Sequence, residues 1–182
     1  MKELSKNDII TYLKEINDRL GQLNTHGEIL IVGGAAMALS YDSRDSTYDI
    51  DAMFEPKGEM RNIIDDIAKH HNLNSDWLND GVKGFMTSNM TGTNFLEMSN
   101  LTVKCLDAEC LLAMKLTSAR EFSKDMEDSI YLMSVLDIQK EEELFDIIDK
   151  YSYKNQKTPK AMYFTQEAFE KYSQLKSKRC DE

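Results

Sequence analysis

The chain has 182 residues, a length that fits one domain or a compact core with a helical appendix. Hydrophobic residues make up 41% and charged residues 30%, with two prolines and eight glycines, which argues against disorder and against a low-complexity or repeat architecture. The formal net charge of -10 argues against broad duplex-DNA binding, because affinity for a phosphate backbone needs clustered Lys and Arg.

Taken in chain order, Ser5 or Asn7 can cap a first helix running to about Leu23, with Ile9, Leu13, Ile16 and Leu20 at helical spacing. Gly27 breaks the chain before an apolar strand over 28–32, and the pair Gly33-Gly34 opens a short helix over 34–41 rich in alanine. After the polar loop 42–46, a strand is expected over 48–54, ended by Pro56-Lys57-Gly58. A helix follows over 59–71, and residues 74–78 read as a short capped helical turn around Trp77. Two strands, 94–98 and 101–105, are joined by Ser99-Asn100 as a hairpin. Beyond Asp107 the pattern is helical, with helices expected over 108–119, 124–136, 140–151 and 164–176. Strands mixed with helices first and helices alone afterwards predict an α+β fold: a small mixed sheet flanked by helices over residues 1–106, then a helical region over 107–182.

Cys105, Cys110 and Cys180 lack the spacing of a disulfide framework or a zinc site and are read as small apolar residues. The apolar stretch near 29–39 is too short for a membrane span, so no membrane association is expected. The N-terminus leads into an amphipathic helix rather than a signal-peptide core, and a cytoplasmic location is expected.

The chemistry concentrates between residues 28 and 54. Asp49 and Asp51 sit one residue apart in the expected strand, so both carboxylates face one side, roughly 6.5–7 Å apart at Cβ. Aspartate is disfavoured in strands and like charges on one face repel, so the pair is read as a grip for a hard divalent cation rather than as solvated surface. Gly33-Gly34 at the mouth of a helix can hold phosphate on bare N–H groups. A dinucleotide-binding fold is the rival, since Asp51 lies about 20 residues beyond Gly33, but the G-x-G-x-x-G arrangement is missing and the second acid would be unexplained.

The glycine pair with Asp49-x-Asp51 resembles the signature of the nucleotidyltransferase superfamily, the polymerase-β-like fold. Further on, Leu111-Leu-Ala-Met-Lys115 and Lys124-Asp125-Met-Glu-Asp128 are similar to the branch that holds AbiEii-type toxins and related bacterial nucleotidyltransferases. The resemblance implies a Mg²⁺- or Mn²⁺-dependent enzyme that moves a nucleoside monophosphate from NTP to an RNA, tRNA or protein acceptor, with a cognate antitoxin as partner in a toxin–antitoxin or defence system. It implies that Asp49 and Asp51 hold the metal, Gly33 and Gly34 admit the triphosphate, Lys115 contacts phosphate and Asp125 orients the site. Arg44 is a candidate γ-phosphate partner, a role its planar fork suits. Two departures stand out. The superfamily's usual serine after the first glycine is Gly34, and the third carboxylate is open between Glu97 and Asp125. These departures motivate the alternative of a nucleotidyltransferase-fold module that binds nucleotide or a protein partner with little or no catalysis.

Overall fold

A computed structural model describes residues 3–118 and 123–180. They form an α+β fold whose chain divides into two compact units, Met1–Gly84 with Gly92–Leu106, and Phe85–Thr91 with Asp107–Glu182.

The first unit is built on a five-stranded mixed sheet. Its strands are β2 (Gly27–Ile31), β4 (Ile50–Glu55), β5 (Leu78–Asn79), β6 (Gly92–Glu97) and β7 (Leu101–Leu106), in the order β5-β4-β2-β7-β6. β2 runs antiparallel to β4 and parallel to β7, β5 runs parallel to β4, and β6 and β7 form the expected antiparallel hairpin. A separate two-stranded sheet pairs β1 (Leu4–Ser5) with β3 (Ser46–Thr47).

Alternation along the central strands decides which side is core. Ile29 and Ile31 on β2, Ile50, Ala52 and Phe54 on β4, and Leu101 and Val103 on β7 are buried, while Glu28, Met53 and Glu55 are exposed. The α1 helix (Lys6–Gln22) buries Ile9, Leu13, Ile16 and Leu20 and is capped by Ser5, whose hydroxyl accepts from the Asp8 N–H while Asp8 reaches back. The α3 helix (Lys57–His71) buries Met60, Ile63, Ile64 and Ile67 and ends on Asn72 in the left-handed region. Glu15 of α1 accepts hydrogen bonds from Arg19 and from His71 at the end of α3, tying the two helices together.

In the second unit, α4 (Ala108–Ser118), α5 (Asp125–Val135), α6 (Glu141–Tyr151) and α7 (Pro159–Cys180) pack on one another. The expected helix over 108–119 is present from Ala108 through Ser118, and residue 119 lies outside the described residues.

Several boundaries differ from the sequence reading. The strand expected over 48–54 begins at Ile50, because Tyr48 and Asp49 belong to a bend in which Thr47 Oγ1 donates to the Asp49 carbonyl at 3.1 Å. Residues 74–77 make one turn, closed by the Trp77 N–H on the Asn74 carbonyl at 3.1 Å, but no helix. Trp77 instead leads into β5, and its carbonyl accepts from the Ile50 N–H at 2.7 Å. The last helix starts at Pro159 rather than 164. Proline suits a first helical position, and Thr158 Oγ1 accepts from the Ala161 N–H at 3.2 Å as the cap.

Candidate active site

The β2–α2 turn sets the first part of the site. The α2 helix (Gly33–Ser40) follows β2 directly, and Val32 at its N-cap makes no side-chain capping hydrogen bond. The Val32 N–H donates to the Asp51 carbonyl at 2.9 Å, which fixes the turn against β4. Gly33 adopts φ +59, the left-handed region that a side chain disfavours. A Cβ on Gly33 would stand 3.4 Å from Asp51 Oδ2. A Cβ on Gly34 would come within 2.9 Å of Arg44 Nη1 and 3.1 Å of Thr47 Oγ1. The glycines are therefore what lets the helix opening, Asp51 and Arg44 crowd together.

Asp51 lies within β4 between the fully buried Ile50 and Ala52 and is half-buried, while Asp49 just before the strand is exposed. Both aspartates line one cleft of about 510 Å³. Phe54, Ile64 and Leu78 supply its apolar surface, and α3 and the segment after β5 supply its polar walls. Gly33, Gly34, Arg44, Asp49 and Asp51 are thus all residues of the first unit.

The donor set suits a hard cation. Two carboxylates offer oxygen ligands only, and no imidazole or thiol competes at the cleft. Among the described residues no three His, Cys, Asp or Glu side chains cluster tightly enough to hold an ion by themselves. Mg²⁺ is commonly held by one or two carboxylates with substrate phosphates and water completing its shell, and Asp49 and Asp51 fit a site of that kind.

Lys115 and Asp125 belong to the second unit. The Lys115 ammonium lies 2.7 Å from Asp125 Oδ1 and 2.8 Å from Asp128 Oδ2, with all three side chains almost completely buried. Ser123 donates to Asp125 Oδ2 at 2.7 Å and accepts from the Asp125 N–H. Of the two candidates for a third carboxylate, Glu97 is exposed on β6, three strands away from β4 and so about 14 Å across the sheet at ordinary strand spacing. That distance removes Glu97 from the Asp49–Asp51 pair.

Sequence spacing alone does not single out Asp80. It lines the same cleft, accepts from Arg61 at 3.2 Å and pairs with Lys83. The Lys83 ammonium, helped by Arg61, holds the Asp80 carboxyl below the usual aspartate range despite some desolvation. The only local signal was the turn-like Asn79-Asp80-Gly81 after two residues of strand, too short to show a period. Cys105 and Cys110 are buried, and desolvation pushes both thiols up, which makes them poor nucleophiles.

A family model described as a nucleotidyltransferase of unknown function (DUF6036) matches residues 9–177. No curated protein and no solved structure matches the chain.

Proposed function

The chain belongs to the family of nucleotidyltransferases of unknown function (DUF6036), and from that premise we propose that it transfers a nucleoside monophosphate from an NTP to an acceptor hydroxyl with Mg²⁺ as cofactor. The observation that carries this reading is the contact of Gly33, in its left-handed conformation, with Asp51 at the rim of the cleft that Asp49 shares. It brings a helix opening without a side-chain cap, which favours phosphate, beside two carboxylates, which favour a divalent ion.

In this reading Asp49 and Asp51 hold Mg²⁺, whose charge offsets that of the phosphates. Gly33 and Gly34 admit the triphosphate close to the backbone, and Arg44, beside Gly34, takes a terminal phosphate. The acceptor oxygen forms a bond to the α-phosphorus. The bond from that phosphorus to the oxygen bridging the β-phosphorus breaks, pyrophosphate leaves with the electron pair, and the hydroxyl proton passes to water. The protein contributes positioning and charge complementarity.

The test is label transfer from α-labelled NTPs in Mg²⁺, with binding followed by the emission of Trp77, the single tryptophan of the chain. Asp49→Ala and Asp51→Ala are expected to abolish transfer while the far-UV spectrum is retained. Equal transfer by either variant would defeat the proposal. The similarity of the Lys115 and Lys124-Asp125 segments to AbiEii-type toxins supports a toxin or defence setting, in which induced expression arrests growth and Asp51→Ala relieves the arrest. Growth unaffected by the wild-type chain would remove that setting.

A further inference from the structure

The loop 41–49 carries two of the residues assigned above, Arg44 and Asp49, yet has little regular structure of its own. It leaves α2 at Ser40 and, before β4 starts at Ile50, contributes only the two residues of β3. Asp42 within it stands in the left-handed region. A polar stretch of this kind takes its position from the groups that satisfy its backbone and side chains. One hold comes from α2, where the N–H and the hydroxyl of Ser43 both donate to the Met37 carbonyl.

A second set of holds comes from residues 3–6, at the start of α1. β1 pairs antiparallel with β3, Leu4 with Thr47 and Ser5 with Ser46. Ser46 donates its hydroxyl to Glu3 Oε2, and the Tyr48 hydroxyl donates to the same carboxylate. Lys6 Nζ lies 2.6 Å from Asp42 Oδ1. Ser5 is at once the partner of Ser46 and the N-cap of α1, so this arm takes its own place from a helix whose apolar face is buried. The path to the site is short. Thr47, opposite Leu4, donates to the Asp49 carbonyl at 3.1 Å, and its Oγ1 and Arg44 Nη1 would be the two atoms nearest a Cβ on Gly34. All of these residues belong to the first unit. The Glu3 and Lys6 links are exposed, so they add little to global stability. What they fix is where Arg44 and Asp49 stand.

We infer that Glu3 is a positioning residue for the nucleotide site: through Ser46 and Tyr48 it latches the loop that carries Arg44 and Asp49. Phosphate and metal then meet a preset pair instead of a loop that must be ordered on binding. The inference rests on the nucleotidyl-transfer reading above and adds to it a residue that touches neither nucleotide nor metal. A loop ordered beforehand spares the ligand the entropy of fixing it, so loss of the latch shows in affinity. At saturating NTP the ligand itself holds the loop, and the rate recovers.

The test measures Mg²⁺–NTP affinity by Trp77 emission, and label transfer over a range of NTP concentrations, in the full chain. The variants are Glu3→Ala, Glu3→Gln, Glu3→Ala with Ser46→Ala, and Thr158→Ala as a purely structural comparison in the second unit. Glu3→Ala is expected to weaken binding and raise KM about tenfold, the scale of one charge-assisted hydrogen bond. Its kcat and its ligand-free melting temperature stay nearly unchanged. Glu3→Gln, whose amide oxygen can still accept from Ser46 and Tyr48, is expected to recover most of the affinity. Adding Ser46→Ala to Glu3→Ala is expected to cost little more, because both remove the same link. Unchanged KM in Glu3→Ala, Glu3→Gln no better than Glu3→Ala, additive losses in the double variant, or an equal loss of affinity in Thr158→Ala overturns the latch and leaves the nucleotide site standing. No Trp77 response to NTP together with no transfer by the wild-type chain overturns both readings.

Discussion

Gly33 is the residue at which conformation and chemistry meet. Its φ of +59 disfavours any side chain, and a Cβ there would stand in contact with Asp51 Oδ2 at 3.4 Å. Gly33→Ala is therefore expected to destabilise the fold by about 1–2 kcal/mol through the left-handed backbone alone, read as a lower denaturation midpoint. It should reduce label transfer further than that loss of stability explains. Gly34→Ala acts differently: its Cβ would contact Arg44 Nη1 at 2.9 Å and displace the guanidinium. That change should weaken NTP binding more than stability. Glu15 offers a pH readout of the α1–α3 contact. Burial pushes its carboxyl up, but the hydrogen bonds from His71 and Arg19 outweigh this and hold it below the ordinary glutamate value. A carboxylate with a depressed folded-state pKa contributes stability above its unfolded pKa and loses it as pH falls through the folded one. Glu15→Gln should accordingly lower the melting temperature near neutral pH and make little difference in acid, below the depressed value.

At the scale of elements, the α4–α5 pair is organised by Lys115. An ammonium with almost no exposure lies between Asp125 at 2.7 Å and Asp128 at 2.8 Å, and its removal takes from two buried carboxylates the cation they share. Lys115→Ala is expected to destabilise the second unit by about 3–5 kcal/mol, measured as a shift in the urea midpoint. A loss of nucleotide transfer with an unchanged midpoint would instead favour the phosphate contact that the resemblance implies. The start of α7 makes a smaller test: Thr158→Ala removes the cap on the Ala161 N–H and should cost about 1 kcal/mol. That start was hidden in the sequence because the buried stripe of α7, Ala161, Thr165, Ala168 and Tyr172, is small or polar in its first turns. Helical periodicity shows only where side chains are large enough to mark a face. β5 escaped for a related reason, since two residues cannot display a period of two. Its existence depends on the register of Ile50 with Leu78 and Asp51 with Asn79.

For the whole molecule, two units of different composition share one chain, and Trp77 reports on the first of them. Buried beside Tyr12 and donating its indole N–H to the Ile64 carbonyl at 3.1 Å, it sits under the segment that forms one wall of the cleft. Saturating NTP and Mg²⁺ should raise the temperature of the Trp77-monitored transition, by the equivalent of about 2.7 kcal/mol at a ligand concentration of roughly 100 Kd. Asp51→Ala should remove the shift. No helix among the described residues is long and apolar enough to cross a membrane.

The sequence by itself determined the mixed sheet with its helical sequel, the glycine pair at a strand-to-helix turn, and the outward side of Asp51, because each is written in local preference: periodicity, φ permissiveness and the alternation of a strand. Tertiary structure decided which of the candidates meet. Gly33 against Asp51, Arg44 against Gly34, Asp80 on the cleft wall, Glu97 three strands away and Lys115 enclosed by Asp125 and Asp128 all follow from strand order and helix packing. Those join residues distant in the chain, and no spacing along the backbone encodes the distance between two side chains brought together by a sheet.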